Sequence, residues 1–596
     1  MDWSHELLDS LEWLGLAFAA SLIGLAVTVW LLARGTVWGR QVRRLAWSYF
    51  QPGRSWRPLL WLGVIVFLTL FSVRMNVLFS YWYNGFYSAM QELDGQAFWF
   101  MLAVFGVLAT VHVARELLTF YLRQAFLIRW RTWLTQELMS RWLERQAYYR
   151  THHLPRPIDN PDQRIQQDVD SFVTSTLGLS MGLLDAVVSL FAFTLILWNL
   201  SGALAVFGVE VPRAMVFLVY AYVIVATVFA VKIGRPLVRL SFLNERFNAS
   251  FRYALIRLRE YGESIAFFGG EAVERRTLLR RFGQVITNMW AIVFRSLKLQ
   301  GFNLTVSQGA VVFPFIVQAP RLLSKEITLG DVMQTAQSFD QVQGALSFFR
   351  TSYDEFASYR AVLDRLTGFL DAVEAATQLP SARIEPAAGR LELEGVTVRS
   401  PSGEVLAQEV EFSLGVGQAL LIRGPSGAGK TTLLRAIAGL WPHVEGTVRR
   451  PLADAALFLP QKPYLPLGSL RTAVHYPADS AAPGQAEEAL RRCHLGHLVG
   501  RLDDEADWTR ILSLGEQQRL AIARVLLARP QIIFLDEASS ALDEGLEHAM
   551  YTLLRTALPE AVLVSVGHRS SLVGFHGQTL DLTGGGAWRL VAGPSS

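Results

Sequence analysis

Cysteine is almost absent: Cys493 is the single cysteine in 596 residues. An intramolecular disulfide and a cysteine-rich metal site are therefore excluded, and Cys493 reads as a small buried residue. Charge is scarce as well. Asp, Glu, Lys and Arg make up 18% of the chain, below the roughly 25% of soluble domains. No basic stretch precedes the first long apolar run. Asp2, Glu6, Asp9 and Glu12 stand there instead, which is not the pattern of a secretory leader. Apolar residues fill the space, with 51% hydrophobic and 12% aromatic and a mean hydropathy of +0.28. Such a composition indicates a membrane protein. A net charge of +4 invites a nucleic-acid reading, but the arginines cluster beside apolar segments, as the positive-inside rule requires. No nucleic-acid partner is expected.

A bilayer core takes about 20 helical residues to cross. Trp13–Ala33, Leu59–Trp82, Phe98–Leu118, Val173–Trp198, Ala214–Val231 and Phe302–Val317 are long and apolar enough. An interfacial or re-entrant placement is the alternative for the first of them. Arg34, Arg40, Arg43, Arg44, Arg54 and Arg57 follow it, so residues 34–58 are expected in the cytoplasm and the N-terminus outside. Alternating sides from there is consistent. Asn84–Ala97 carries no Lys or Arg and faces out, whereas Arg123–Arg164 carries Arg129, Arg131, Arg141, Arg145, Arg150 and Arg156 and faces in. Ser201–Arg213 faces out and 235–300 faces in. The last outer loop, Ala319–Leu329, contains Arg321 and Lys325 and fits less well.

The inner segments Arg123–Tyr149 and Val238–Arg275 keep helical periodicity past the membrane boundary. They read as stalks with turns at their tips. In "IDNPDQRIQQD", Asp159 and Asn160 can cap and Pro161 suits a first helical turn. His152-His153 reads as a solvated pair on such a stalk. A seventh segment, Asp331–Phe349, is much more polar, with Gln334, Gln337, Ser338, Asp340, Gln341, Gln343 and Ser347. Polar groups at membrane depth are costly unless they face water or protein. This helix is expected to line a wet cavity, with Gln334, Gln337, Asp340 and Gln341 as cargo-facing candidates; packing against a neighbouring helix is the alternative. Arg74 and Asn76, inside the second span, are expected to face inward.

The chain thus divides into an N-terminal helix and basic elbow (1–58), a membrane domain (59–370), an Ala- and Pro-rich linker (371–389) and a cytoplasmic domain (390–596). In the last, "ALLIRGPSGAGKTTLLRAIAGL" places Gly424–Thr431 between a strand and a helix, matching G-x-x-x-x-G-K-[ST]. Gly424, Pro425, Ser426, Gly427, Ala428 and Gly429 form a loop whose backbone N–H groups can curl around phosphate oxygens. Lys430 supplies a cation to the β- and γ-phosphates, Thr431 a hydroxyl for Mg²⁺, and the helix N-terminus its dipole. Thr432 follows on the same helix. In "QIIFLDEASSALD", Ile532–Leu535 reads as a buried parallel strand. Asp536 at its end can hold Mg²⁺ through water, and Glu537 can polarise the attacking water. Gln461 and His568 also sit at strand ends and can reach Mg²⁺, water or γ-phosphate. Leu512–Arg519 reads as a second phosphate-binding turn opening a helix.

Taken in order, Gly424–Thr432, Gln461, Leu512–Arg519, Ile532–Glu537, Ser540–Asp543 and His568 resemble an ABC-transporter ATPase over all of 390–596. The signature here is Leu-Ser-Leu-Gly-Glu rather than the commoner Leu-Ser-Gly-Gly-Gln. That variant resembles subfamily D and its bacterial relatives. "YNGFYSAMQELD", "DNPDQRIQQD", "FRYALIRLREYGESIAFFGGEAVE" and "QSFDQVQGALSFF" look like the same group, so the resemblance runs over residues 40–590. The group includes peroxisomal acyl-CoA transporters, a lysosomal cobalamin transporter, and bacterial fusions related to SbmA/BacA-type proteins that carry cobalamin, bleomycin or antimicrobial peptides.

The resemblance implies a half-transporter. Its fold would be an α-helical exporter-type (type IV) membrane domain with an α/β P-loop ATPase domain, six core helices being swapped within a homodimer. It implies ATP and Mg²⁺ as cofactors. It implies turns near Tyr148–Asp162 and Glu260–Glu274 that couple to the ATPase. Ser513, Gly515 and Glu516, with Asp543, would cap the ATP held by the other subunit. The strand stretch Val396–Gly403 lacks the aromatic on which many relatives stack adenine, and Arg399 is the candidate substitute. The cargo expected is hydrophilic or amphipathic, taken up across a bacterial inner membrane. An acyl-CoA cargo would need apolar walls and a basic patch, and a membrane-bound sensory ATPase is the remaining alternative. The C-terminal "GPSS" is not a peroxisomal address.

Overall fold

The computed structural model describes all residues except 1, 2, 4, 5, 52, 54, 156, 203, 207, 208, 453, 454, 479–482 and 593–596. Asp2, Arg54, Arg156 and the terminal "GPSS" therefore lie outside the described residues. Two compact units emerge: residues 1–140 with 160–370, and residues 141–159 with 371–596.

The first unit is helical. It contains α1 (Glu6–Gly35), the elbow α2 (Val37–Phe50), α3 (Arg57–Glu92) and α4 (Gly95–Leu143). The short α5 (Ala147–Arg150) belongs to the second unit, and α6 (Pro161–Gln163) opens the return. Then come α7 (Val169–Leu200), the hairpin β1 (Leu204–Val206) and β2 (Val209–Val211), α8 (Ala214–Glu260), α9 (Gly262–Phe268), α10 (Glu271–Leu323), α11 (Leu329–Thr351) and α12 (Tyr353–Thr377). Six of these helices are long and apolar enough to span a membrane, and α11 is not among them. Its polar residues exclude it by hydropathy, as expected.

Apolar side chains from five helices meet in one core, including Val77, Phe193, Val219, Ala310, Phe339 and Val342. Arg74 faces inward, as expected. Its guanidinium pairs with Glu6, donates to Ser10 Oγ at 3.0 Å and lies over Trp13. These contacts fasten the otherwise exposed α1 to α3. Arg321, expected in the last outer loop, instead lies in the last turn of α10, where Glu326 engages it at 3.5 Å and it donates to Leu200 O.

α11 begins in a capping box between Thr328 and Asp331. Asn84 Nδ2 donates to Asp331 Oδ1 and Gln334 Oε1, both at 2.8 Å. Gly330 makes this approach feasible, since a Cβ there would sit 2.1 Å from Asn84 O. Gln334 is therefore a packing residue and not a cavity-facing one, which corrects the sequence expectation. Gln337 likewise does not line the cavity described below; Asp340 and Gln341 do. Along α11, packing against α3 thus engages Gln334, while Asp340 and Gln341 line a cavity.

At the N-terminal end of α7, Asp168 receives Arg365 Nε and Nη2 at 2.9 and 2.6 Å and Arg164 Nη1 at 3.0 Å. This ion cluster ties the start of α7 to α12. Asn160 occupies the cap position before Pro161 but in a left-handed conformation, without a side-chain cap bond. The expected Asn160 cap is thus not formed.

The second unit holds two sheets. One has the order β3 (Arg383–Pro386), β7 (Val444–Arg450), β4 (Leu391–Arg399), β5 (Val405–Leu414). The other has the order β14 (Ala587–Ala592), β13 (Gln578–Gly584), β6 (Ala419–Arg423), β12 (Val562–Val566), β11 (Ile532–Asp536), β8 (Ala456–Leu459). Apart from the β13–β14 pair its strands are parallel. The helix α13 (Lys430–Ala438) follows β6. A small insertion contains β9 (Gly468–Ser469) paired with β10 (Glu505–Ala506), and the helices α14 (Leu470–His475), α15 (Gln485–Arg492) and α16 (Trp508–Ile511). The helix α17 (Leu514–Ala528) precedes β11, and α18 (Glu544–Ala557) precedes β12. Cys493 is fully buried, as expected.

Two sequence readings change here. The stretch 371–389 is not irregular throughout: α12 runs to Thr377 and Arg383–Pro386 adds a parallel edge strand to β7. His153 is not a solvated stalk residue. Its ring packs edge-on 5.0 Å from Trp441, and Arg150 beside it donates to Leu379 O and Pro380 O.

Candidate functional site

The buried strand β6 delivers the chain into the loop Gly424–Gly429. Gly424 has φ +146, and a Cβ there would sit 2.3 Å from Leu582 O. Gly429 has φ +94 and faces Leu406. Only glycine combines that backbone with that clearance. Lys430 Nζ folds back over the loop, donating to Gly424 O at 2.9 Å and Pro425 O at 3.0 Å. Burial lowers its pKa, while Glu537 and Asp536 oppose the shift. An ammonium held on backbone carbonyls, with carboxylates nearby, is poised for an anionic ligand. Ser426 and Gly427 are exposed on the loop and Ala428 is buried beneath it. Thr432 stands in the first turn of α13.

Thr431 Oγ1 donates to Asp536 Oδ1 at 2.9 Å. Burial pushes the Asp536 carboxyl up; the Thr431 hydroxyl opposes this and Glu537 adds to it. A hydroxyl and a carboxylate so placed are hard oxygen donors that suit Mg²⁺. Among the described residues no group of three His, Cys, Asp or Glu side chains can hold a metal.

Glu537 follows β11 with φ +51, a left-handed conformation that is unusual outside glycine. This turn swings its side chain between two partners. Gln461 Nε2 donates to Glu537 Oε2 at 3.1 Å, and His568 Nε2 lies 3.4 Å from Glu537 Oε1. Lys430, Thr431, Gln461, Asp536, Glu537 and His568 thus converge from four separate stretches of sequence on the C-terminal edge of one parallel sheet. Ligands of open α/β sheets bind at that edge.

The signature turn is built differently. Ser513 caps α17: its Oγ accepts from Glu516 N at 3.3 Å, and Glu516 Oε2 accepts from Ser513 N at 2.9 Å and Ser513 Oγ at 2.8 Å. Glu516 Oε1 also meets His497 Nε2 at 3.1 Å. Burial works against its carboxylate, but the hydrogen bonds from Ser513 and His497 outweigh it and lower the pKa. The Glu516 charge is therefore turned back onto its own helix cap and His497. Gly515 leaves room for Ala541 O, 3.1 Å from where a Cβ would stand. Asp543 caps α18 through Leu546 N at 2.8 Å. Among the described residues, no hydrogen bond or ion pair joins Ser513, Gly515 or Glu516 to the Lys430–Glu537 cluster.

Two residues escaped the sequence reading. Gln518 is fully buried. Its Nε2 donates to Gln461 O at 2.9 Å and Ser540 Oγ at 3.3 Å, and its Oε1 accepts from Ala541 N at 3.0 Å. It locks three of the loops together. Arg569 donates to Leu542 O at 2.8 Å and Ser540 O at 3.3 Å. A polar residue on the apolar face of α17 was the available signal for Gln518. Arg569, one residue after His568, left none.

A phosphate loop, a strand-end Asp-Glu pair and a helix-capping second turn, fused to a membrane-spanning helical unit, define an ATP-hydrolysing transport protein. The chain belongs to the ABC transporters. A family model described as "ABC transporter transmembrane region 2" matches residues 45–323 and one described as "ABC transporter" matches residues 407–540. An uncharacterized ABC transporter ATP-binding protein of Haemophilus influenzae is 48% identical over 593 residues, 99% of this chain and 100% of that one. "ABC transporter D family member 2, chloroplastic" of Arabidopsis thaliana is 32% identical, covering 92% of this chain and 86% of that protein. Homology to subfamily D members is therefore established. The solved structure of a bacterial Atm1-family ABC exporter with ATP bound shares the fold, with a TM-score of 0.67 and 19% identity over 88% of this chain and 93% of that one. The exporter-type fold expected from sequence is confirmed.

Proposed function

We propose that the protein is a homodimeric half-transporter that uses ATP to take up a hydrophilic or amphipathic solute, of cobalamin, bleomycin or peptide-like character. Its home would be a bacterial inner membrane, embedded in lipid, with residues 390–596 in the cytoplasm. A bacterial relative at 48% identity and the one-sided arginines support that placement. Glu537 is the general base, oriented by Gln461 and His568. Thr431 and Asp536, with Gln461 within reach, would hold Mg²⁺, which neutralises phosphate charge when bound. Gly424–Thr432 cradles the phosphates. Ser513, Gly515, Glu516 and Asp543 act on the ATP of the partner protomer.

The observation that carries this reading is the split between the two phosphate-reading turns. The Lys430–Glu537 cluster is assembled within one protomer, whereas the capped N-terminus of α17 has no phosphate site among its own described contacts. Helix N-termini attract anions, so a second copy supplies the missing ligand. The tip helix α9 supports the same arrangement. Phe267 and Phe268 are 83% and 87% exposed there, an apolar pair that a partner's ATPase domain would cover. The test is reconstitution into proteoliposomes with cobalamin, bleomycin, peptide and acyl-CoA as cargoes. ATP-dependent accumulation of one of the first three supports the proposal. ATP hydrolysis without flux of any cargo would replace it with a sensory ATPase.

A further inference from the structure

Asp185 and Asp340 stand near the middle of α7 and α11. Both line one cavity of about 360 Å³, together with Ser189, Gln341 and Gly344. Ionised groups at that depth are expensive and are kept where they have a task. Among the described residues, neither carboxylate makes an ion pair or a hydrogen bond. Two arginines act on Asp185 from a distance, but both are committed elsewhere. Arg115 is buried, pairs with Glu116 and donates to Leu68 O at 3.3 Å. Arg123 donates to Thr69 Oγ1 at 3.2 Å. Neither lines the cavity. Among the described residues, no cation lines the cavity beside Asp340.

A second observation points to a ligand. Ser189 is 4% exposed and lines the same cavity. Its hydroxyl has no hydrogen-bond partner among the described residues. An unpaired hydroxyl on a residue this buried, lining a cavity beside two unpaired carboxylates, marks a place for a donor group.

We propose that this cavity is a cation subsite of the transport path, taking a protonated amine or guanidinium of the cargo. Asp185 and Asp340 are its counter-ions, and Ser189 and Gln341 accept its remaining N–H bonds. The inference rests on the transport reading above and narrows it. An anionic acyl-CoA would meet two negative charges here, with no cation lining the cavity to offset them. A cationic peptide-like cargo would meet complementary charge.

The test uses the full-length protein and two probes: an amidated tetra-arginine peptide and its neutral citrulline isostere. Binding is measured in detergent, and ATP-driven uptake in phosphatidylcholine vesicles. The arginine probe should bind about tenfold tighter, the size of one charge-assisted hydrogen bond. The D185N/D340N double variant should bind both probes equally, and D185E/D340E should restore the preference. Equal binding by the wild type overturns the subsite, as does a preference that survives in D185N/D340N. Asp-dependent binding without ATP-driven uptake keeps the subsite and removes the transport reading. Uptake of a neutral or anionic cargo that ignores both aspartates keeps transport and removes the subsite.

Discussion

Lowering the pH from 7 to 5 destabilises the ATPase unit, and the largest histidine contribution comes from His576, whose shift exceeds those of His153 and His475. His576 is 2% exposed. Its Nδ1 meets Leu572 O at 2.7 Å and its Nε2 meets Ser565 Oγ at 2.9 Å. The ring is satisfied as the neutral tautomer, with Nδ1–H donating to the carbonyl and Nε2 accepting from the hydroxyl. A proton on Nε2 would need Ser565, itself fully buried, to turn its hydroxyl away. Burial lowers the pKa from 6.5 to about 4, against the pull of the Leu572 carbonyl and with help from Arg555. Between those two values the unfolded chain binds the proton and the folded chain does not. Stability is thus complete above 6.5 and falls as pH drops toward 4. The full difference is about 3 kcal/mol, and about 2 kcal/mol of it is lost by pH 5. Thermal unfolding of the ATPase transition in full-length protein, followed at several pH values, measures it. Carboxylates titrate lower in the same experiment, so the comparison is with His576→Gln, which keeps a donor and an acceptor but does not titrate. The variant should start less stable at pH 7 and lose less between pH 7 and 5. Parallel curves for the two proteins would refute the reasoning.

Three further outcomes are expected. Glu537→Gln should bind ATP normally and lose about 10²–10⁴-fold in hydrolysis, the usual worth of a positioned base; phosphate release at full rate would remove Glu537 from that role. Lys430→Ala should weaken ATP binding by about tenfold or more, because a charged hydrogen-bond partner of the phosphates is lost; an unchanged affinity in equilibrium dialysis would contradict its assignment. Gln518→Leu strands the Ala541 N–H and the Gln461 carbonyl in a buried site, so it should cost about 2–4 kcal/mol of stability and lower kcat. An unaltered melting point with full kcat would mean the three loops hold without it.

Much of the site was legible because its residues sit at fixed offsets in contiguous motifs. The stretch from Gly424 to Thr431 and the Asp536-Glu537 pair need only local sequence to be recognised. Gln461 and His568 were found by their place at strand ends. What escaped depends on three-dimensional neighbours. Gln518 acts through partners at 461, 540 and 541, which nothing in α17 itself discloses. Gln334 and Asp340 share one polar helix, yet Asn84 claims the first and a cavity the second. Position along α11 decides between them, and periodicity alone does not reveal what stands opposite. The setting of the Glu516 charge was not legible either. Sequence places a carboxylate at the signature turn, but only the fold shows Ser513 and His497 occupying it.

Mixed dimers decide whether each ATP is read by two protomers. One dimer carries Lys430→Ala in one protomer and Ser513→Arg in the other. A second dimer carries both changes in the same protomer beside an unmodified partner. If the α17 turn acts across the dimer, the first arrangement leaves one site with an intact phosphate loop and an intact signature, and the second leaves none. ATP turnover should therefore persist in the first dimer and vanish in the second. Turnover in the second dimer and silence in the first would mean that each protomer reads its own ATP, contradicting the account.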